Sequence, residues 1–158
     1  MYKVDEIIVY KKEVCKIRKI KEKYLQNKDY YIMSPLEDPS LVINIPVDNT
    51  KDIRPVITKE EAESLIAKIP SIELLNSDSK NIETEYKQLL NEDNLENLVK
   101  IIKTTYLRNY ERTKTKKRIS EVDQAYFNKA ETRLYNELSI SLNLPLEEVK
   151  EYIITKLK

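Results

Sequence analysis

The chain has 158 residues, 41% of them hydrophobic and 35% charged, with a net charge of +1. That suffices for one medium domain or two small ones, and no apolar run approaches the ~18 residues of a membrane span. There is no histidine, no glycine and a single cysteine, which excludes histidine acid–base chemistry, a structural zinc site and every glycine-rich phosphate loop or nucleophile elbow.

In chain order, residues 1–47 have the pattern of strands. Glu6–Tyr10 is a short apolar run, and Glu13–Tyr24 mixes β-branched with basic residues. The alternation slips between Ile17 and Ile20, as a bulge requires. Gln26–Asp29 is a hairpin signal, with Asn27 the expected positive-φ residue. Tyr30–Met33 follows as a strand, and Leu41–Ile45 is another, stopped by Pro46. Short strands at this spacing predict a small barrel or a strongly bent sheet. Without glycine, positive-φ positions must fall to Asn, Asp or strained residues. Cys15 is expected to be a buried apolar residue.

Residues 48–58 are predicted to be a linker between a β part (1–50) and an α part (58–158). Thr58 and Glu61 form a capping box for a helix to about Lys68. Ser71–Asp78 is expected to be irregular, followed by a short helix from Ser79 to about Leu90. Two long helices come next. Leu95, Leu98, Val99, Ile102 and Tyr106 recur at helical spacing in one, and Val122, Tyr126, Ala130, Leu134 and Leu138 in the other. Asp93 with Glu96, and Ser120 with Asp123, are the expected caps. A last helix follows Pro145, placed at its first position, with Leu146, Val149, Ile153 and Leu157 on its buried face. The fold class is therefore α+β, a β module before about five helices.

Charge is segregated. Residues 1–47 carry nine Lys/Arg against seven Asp/Glu, residues 48–98 six against twelve, and residues 99–158 thirteen against eight. The densest run is Arg112-Thr-Lys-Thr-Lys-Lys-Arg118, between the two long helices, with five bases and no acid. Helices joined by so short a segment pack against each other and present it at one end of a hairpin. Charge alone leaves two readings open, a solvated loop or a polyanion site. Lys103 and Arg108, on the preceding helix, extend the basic stretch to seven bases with one acid, Glu111. The N-terminus of the second helix at Ser120 would add free N–H groups and a positive dipole end, while Glu121 and Asp123 oppose an anion. The remaining carboxylates fall on helix starts and polar faces, so no catalytic residue, metal or cofactor is expected, and the chain is not predicted to be an enzyme. The eleven tyrosines could stack on bases; at helical spacing, Tyr106, Tyr126 and Tyr135 are more often core or rim residues. A signal-peptide core is absent, so a cytoplasmic, non-membrane and monomeric protein is the expectation.

Several segments in this order carry a resemblance. They are Tyr2-Lys-Val4, Ile8-Val-Tyr10, Ile45-Pro-Val47 and Arg54-Pro-Val-Ile57, then Val99–Arg108, Asp123–Ala130, Leu134–Leu138 and Leu144–Val149. The chain resembles the CarD-type bacterial transcription regulators, especially those of low-GC Gram-positive bacteria. The resemblance implies an N-terminal Tudor-like barrel that binds the RNA polymerase β subunit and a helical domain that contacts promoter DNA. The family's polymerase-binding basic positions fall on Lys23 and Asn44. Its DNA-facing surface includes the joint from Lys114 to Gln124. With Lys103, Arg108 and Arg112 added from the charge run itself, the expected DNA contacts are Lys103, Arg108, Arg112, Lys114, Lys116, Lys117, Arg118 and Gln124. The family's tryptophan wedge has no counterpart: the equivalent segment is Leu74–Ser79, and the chain has no tryptophan. The glycine turns of its first strand pair are replaced as well, at Asp5-Glu6 and Lys12–Cys15. A protein-binding adaptor that keeps the polymerase contact without the wedge activity is the alternative.

Overall fold

Ile17 and Ile20 are three residues apart, so a regular strand would put them on opposite faces. The computed structural model, which describes residues 1–76 and 80–158, resolves this with a bulge. Its strands are β1 (Ile7–Tyr10), β2 (Glu13–Leu25), β3 (Lys28–Pro35), β4 (Ile43–Pro46) and β5 (Ile53–Pro55). They form one antiparallel sheet in the order β4-β3-β2-β1-β5. The β2–β3 register shifts between Ile17 and Lys19, at the expected slip. Ile17 pairs with Met33 and Met33 with Ile43, while Ile20 pairs with Tyr31 and Tyr31 with Ile45. Both rows thereby face the same core, together with Ile8, Cys15 and Ile53. Burial pushes the Cys15 thiol up to about 11, so it stays protonated at neutral pH.

The sheet is open, with β4 and β5 as its edges. The stretch expected to be a linker contains β5, whose Ile53 pairs with Tyr10 and fills the core. Three residues are too few for periodicity to reveal, and only pairing with β1 makes them a strand. Leu41 and Val42, expected in a strand, precede β4 and are exposed.

Both hairpin turns lack glycine. Tyr10 pairs with Glu13 across Lys11 (φ 44°) and Lys12 (φ 73°), and Leu25 pairs with Lys28 across Gln26 (φ 51°) and Asn27 (φ 58°). Two positive φ values in a two-residue loop mark type I′ turns. Asn27 is positive as expected, but lysines occupy the same region at Lys11, Lys12, Lys23 and Lys116. At Lys11 and Lys12 the twist of the paired strands imposes this conformation whatever the side chain.

Residues 59–158 form a second unit, the first being Met1–Thr58. Its helices are α1 (Lys59–Lys68), α2 (Ile82–Asn91), α3 (Leu95–Lys114), α4 (Glu121–Leu142) and α5 (Leu146–Leu157), with a 3-10 turn at Ile69–Ser71. The expected start of α2 at Ser79, and the segment end Ser77–Ser79, lie outside the described residues. α1 begins directly after Thr58, as its capping residue predicts. The cap of α3 is Asn94 rather than Asp93: its side chain accepts the Glu96 N–H. α3 continues through Arg112 and Lys114, so three of the seven residues of the expected joint are helix. Pro145 is the residue before α5, not its first position. Asn143, at φ 54°, ends α4 in the left-handed conformation that glycine usually supplies. The core side chains include Ala62 and Ile66 of α1, Tyr86 of α2, Val99 and Ile101 of α3, Leu134 and Leu138 of α4, and Val149 of α5. Tyr152 of α5 donates to Glu63 of α1. Tyr106, expected as a core or rim residue, is 62% exposed, whereas Thr104 and Thr105 are buried. No described helix is long and apolar enough to cross a membrane.

Asn at position 11 and glycine at position 12 suit a type I′ turn, and a non-glycine residue in the left-handed region costs roughly 1–2 kcal/mol. The double variant Lys11→Asn/Lys12→Gly should therefore raise the urea midpoint by an amount worth about 1–2 kcal/mol, with an unchanged m-value. An unmoved midpoint would show that the turn is not strained.

Candidate nucleic-acid interface

The hairpin of α3 and α4 is closed by a buried carboxylate. Asp123, in the first turn of α4, is 1% exposed. Its Oδ2 accepts from Arg108 Nε at 2.7 Å, and its Oδ1 accepts from Tyr86 Oη at 2.9 Å. One side chain thus joins α2, α3 and α4. A buried carboxylate needs such partners, because an unpaired charge in the interior is far more costly than an exposed one. Burial first, and the bond to Asp123 second, raise the Tyr86 hydroxyl far above its ordinary value, so it remains a donor.

Asn109 completes the closure. Its Oδ1 accepts from Ser120 N at 2.8 Å, and its amide donates to Ser120 O. Ser120 Oγ accepts from Asp123 N at 3.1 Å, which is the expected cap. Gln124 N donates to Ser120 O. Three amides at the start of α4 are therefore already bonded, and this helix end offers an anion less than the sequence suggests.

The joint itself follows from the end of α3. Thr115 N donates toward Glu111 O and Arg112 O, Lys117 N donates to Arg112 O at 2.8 Å, and Lys116 sits at φ 60°. This turn projects residues 114–118 outward. Lys114, Lys116, Lys117 and Arg118 are exposed and Arg112 is half-buried. Among the described residues, none of these five has a carboxylate partner. Glu121 is exposed beside them. Gln124 is half-buried and donates to Asn128 Oδ1.

The structure brings together Arg112, Lys114, Lys116, Lys117 and Arg118, with Gln124 on the adjoining turn of α4. It engages the other two expected contacts internally. Lys103 Nζ donates to Ile69 O (2.7 Å) and Ile72 O (2.6 Å), tying the 3-10 turn to α3. Arg108 is committed to Asp123, and the side chain of the pair's arginine is only 16% exposed. Helical periodicity puts both bases on α3 but does not say which carbonyl or carboxylate waits across the gap. The other feature of this end is aromatic. Tyr106 and Tyr110 stack at 6.2 Å with planes 14° apart, and Lys114 Nζ lies 5.6 Å from the Tyr110 ring centre. The i, i+4 spacing was visible; the exposure of both rings was not.

In the first unit, Lys23 is exposed, with φ 46° and its N–H donating to Asp29 Oδ1. Asn44 is exposed on edge strand β4 and pairs with Ile32, which also pairs with Lys19. Lys19, not Lys23, therefore shares the row of Asn44. Among the described residues, no group of three or more metal-binding side chains occurs.

Arg108→Ala leaves the Asp123 carboxylate buried without its cation. It should destabilise the helical unit by about 3–5 kcal/mol in chemical denaturation, far more than Lys117→Ala, which removes an exposed charge. Equal effects would mean that the ion pair does not hold the hairpin. No protein-family model matches the chain, and no curated protein matches it.

Proposed function

We propose that the protein is a non-enzymatic transcription regulator that binds nucleic acid at the α3–α4 joint and RNA polymerase through its N-terminal sheet. The observation that carries the first half is the set of five cations, Arg112 to Arg118, without carboxylate partners among the described residues, at the end of a hairpin whose acid Asp123 is neutralised internally by Arg108. A surface in which cations remain unpaired favours phosphate contact. No base-reading arrangement accompanies it, so binding to duplex would be nearly independent of sequence.

The second half rests on the resemblance to CarD-type regulators. A Tudor-like barrel is part of that reading. What supports it is a meander in which β5 returns to the far side of β1, with a 13-residue β2 bent by register shifts, as a strongly coiled sheet requires. Lys23 and Asn44 would face the β subunit. The lack of tryptophan favours a second reading, an adaptor that keeps the polymerase contact and has lost promoter opening, since an apolar wedge is what offsets base unstacking.

Two measurements test this. DNA affinity against salt should give a log–log slope that flattens by about 0.9 for each phosphate contact removed, so the Lys114, Lys116, Lys117 triple alanine variant should lose up to about 2.7. An unchanged slope would assign the joint to solvent and favour the adaptor. In the full chain, Lys23→Glu should weaken capture of the polymerase β subunit at low salt while leaving the thermal midpoint in place, because an exposed charge adds little to folding. Undiminished capture would remove Lys23 from the contact.

A further inference from the structure

Tyr106, Tyr110 and Lys114 stand at i, i+4 and i+8 on α3, so they form one line along its exposed face. The line runs into the cations Lys116, Lys117 and Arg118. Tyr106 is 62% exposed and Tyr110 49%. Large aromatic rings left in water at adjacent turns are unfavourable unless something covers them. Beside them, α3 and α4 enclose an open cavity of about 350 Å³, walled by Tyr106, Tyr110 and Phe127, with Asn109, Thr113 and Gln124 at its polar side. The amide of Asn109 and the hydroxyl of Thr113 are engaged in internal bonds, which keeps this wall in shape.

We infer that this stripe is a stacking platform for unpaired bases, and that the joint is a single-strand nucleic-acid site. The inference rests on the reading of the joint as a polyanion site and adds a second component to it. Charge complementarity selects the occupant. The cations beside the platform call for an anionic chain, and two nearly parallel rings call for flat apolar faces at regular intervals. A single strand supplies both, with phosphates for Lys114–Arg118 and bases for Tyr106 and Tyr110. A duplex supplies only the phosphates, because its base faces are already stacked on one another. Lys114 belongs to both halves, since its ammonium lies near the Tyr110 ring and within the basic run.

The test uses fluorescence anisotropy with the full chain and three labelled probes: a twelve-residue oligothymidylate, an abasic strand of equal length and charge, and a twelve-base-pair duplex. The variants are Tyr106→Ala/Tyr110→Ala, Tyr106→Phe/Tyr110→Phe and the triple lysine variant. Wild type should bind oligothymidylate at least about tenfold more tightly than the abasic strand, on the scale of base–aromatic stacking. The double alanine variant should lose that ratio while keeping the salt slope of wild type, and the double phenylalanine variant should retain it. Equal affinity for oligothymidylate and the abasic strand overturns the platform. If the triple lysine variant still flattens the salt slope in that case, the polyanion site stands alone. Binding to none of the three probes overturns both. An acidic, phenylalanine-bearing peptide that outcompetes oligothymidylate at the same tyrosines would assign the surface to a protein partner and likewise overturn it.

Discussion

The helical unit depends on the Asp123 carboxylate. It is buried, and both oxygens are taken by partners from other helices, Arg108 of α3 and Tyr86 of α2. The Tyr86 and Tyr126 rings pack 5.1 Å apart beside it, so the polar knot sits within aromatic surface, where a lost partner is most damaging. Because Asp123 also belongs to the first turn of α4, the ion pair fixes where that helix starts relative to α3. Asn109 brackets the backbone of Ser120 from both sides and fixes the same point. The short joint between the helices is thereby held at both ends.

That closure divides the basic stretch in two. Arg108 and Lys103 lie on faces of α3 that meet other elements, and each is used there as structure. The bases beyond them lie in the last turn of α3 and the joint, and among the described residues none forms an ion pair with a carboxylate. The same arrangement withdraws Asp123 from the surface and leaves Glu121 as the exposed acid of the first turn of α4. Local sequence charge overstates both the number of available cations and the number of opposing carboxylates.

A chain without glycine must still turn, and this one does so largely with lysine. Lys11, Lys12, Lys23 and Lys116 all take positive φ, beside Asp5, Gln26, Asn27 and Asn143. Asn and Asp tolerate this region through short side chains that bond locally. Lysine has no such compensation, so its conformation is imposed by strand twist at Lys11–Lys12 and by the Arg112–Lys117 bond at Lys116. The strain is spread over exposed turns and, at Lys23, an irregular stretch of β2, where the side chains still reach solvent.

Periodicity by itself determined much of this protein. The slip at Ile17–Ile20 specified the bulge, because only an added residue keeps both side chains in one core. Ser120 with Asp123 specified the start of α4, since a cap is a local bond, and α1 begins directly after Thr58. The basic joint was equally legible, because five bases within seven residues cannot all be buried. Only the tertiary structure decided the rest. β5 exists because Ile53 finds Tyr10 across the sheet, a pairing that three residues do not announce. Arg108 and Lys103 became internal, and Tyr106 and Tyr110 external, because helical spacing fixes which residues share a face but not which face meets another helix. That choice belongs to packing: α3 turns Thr104, Thr105 and Ile101 inward, and the tyrosine line is left to the solvent.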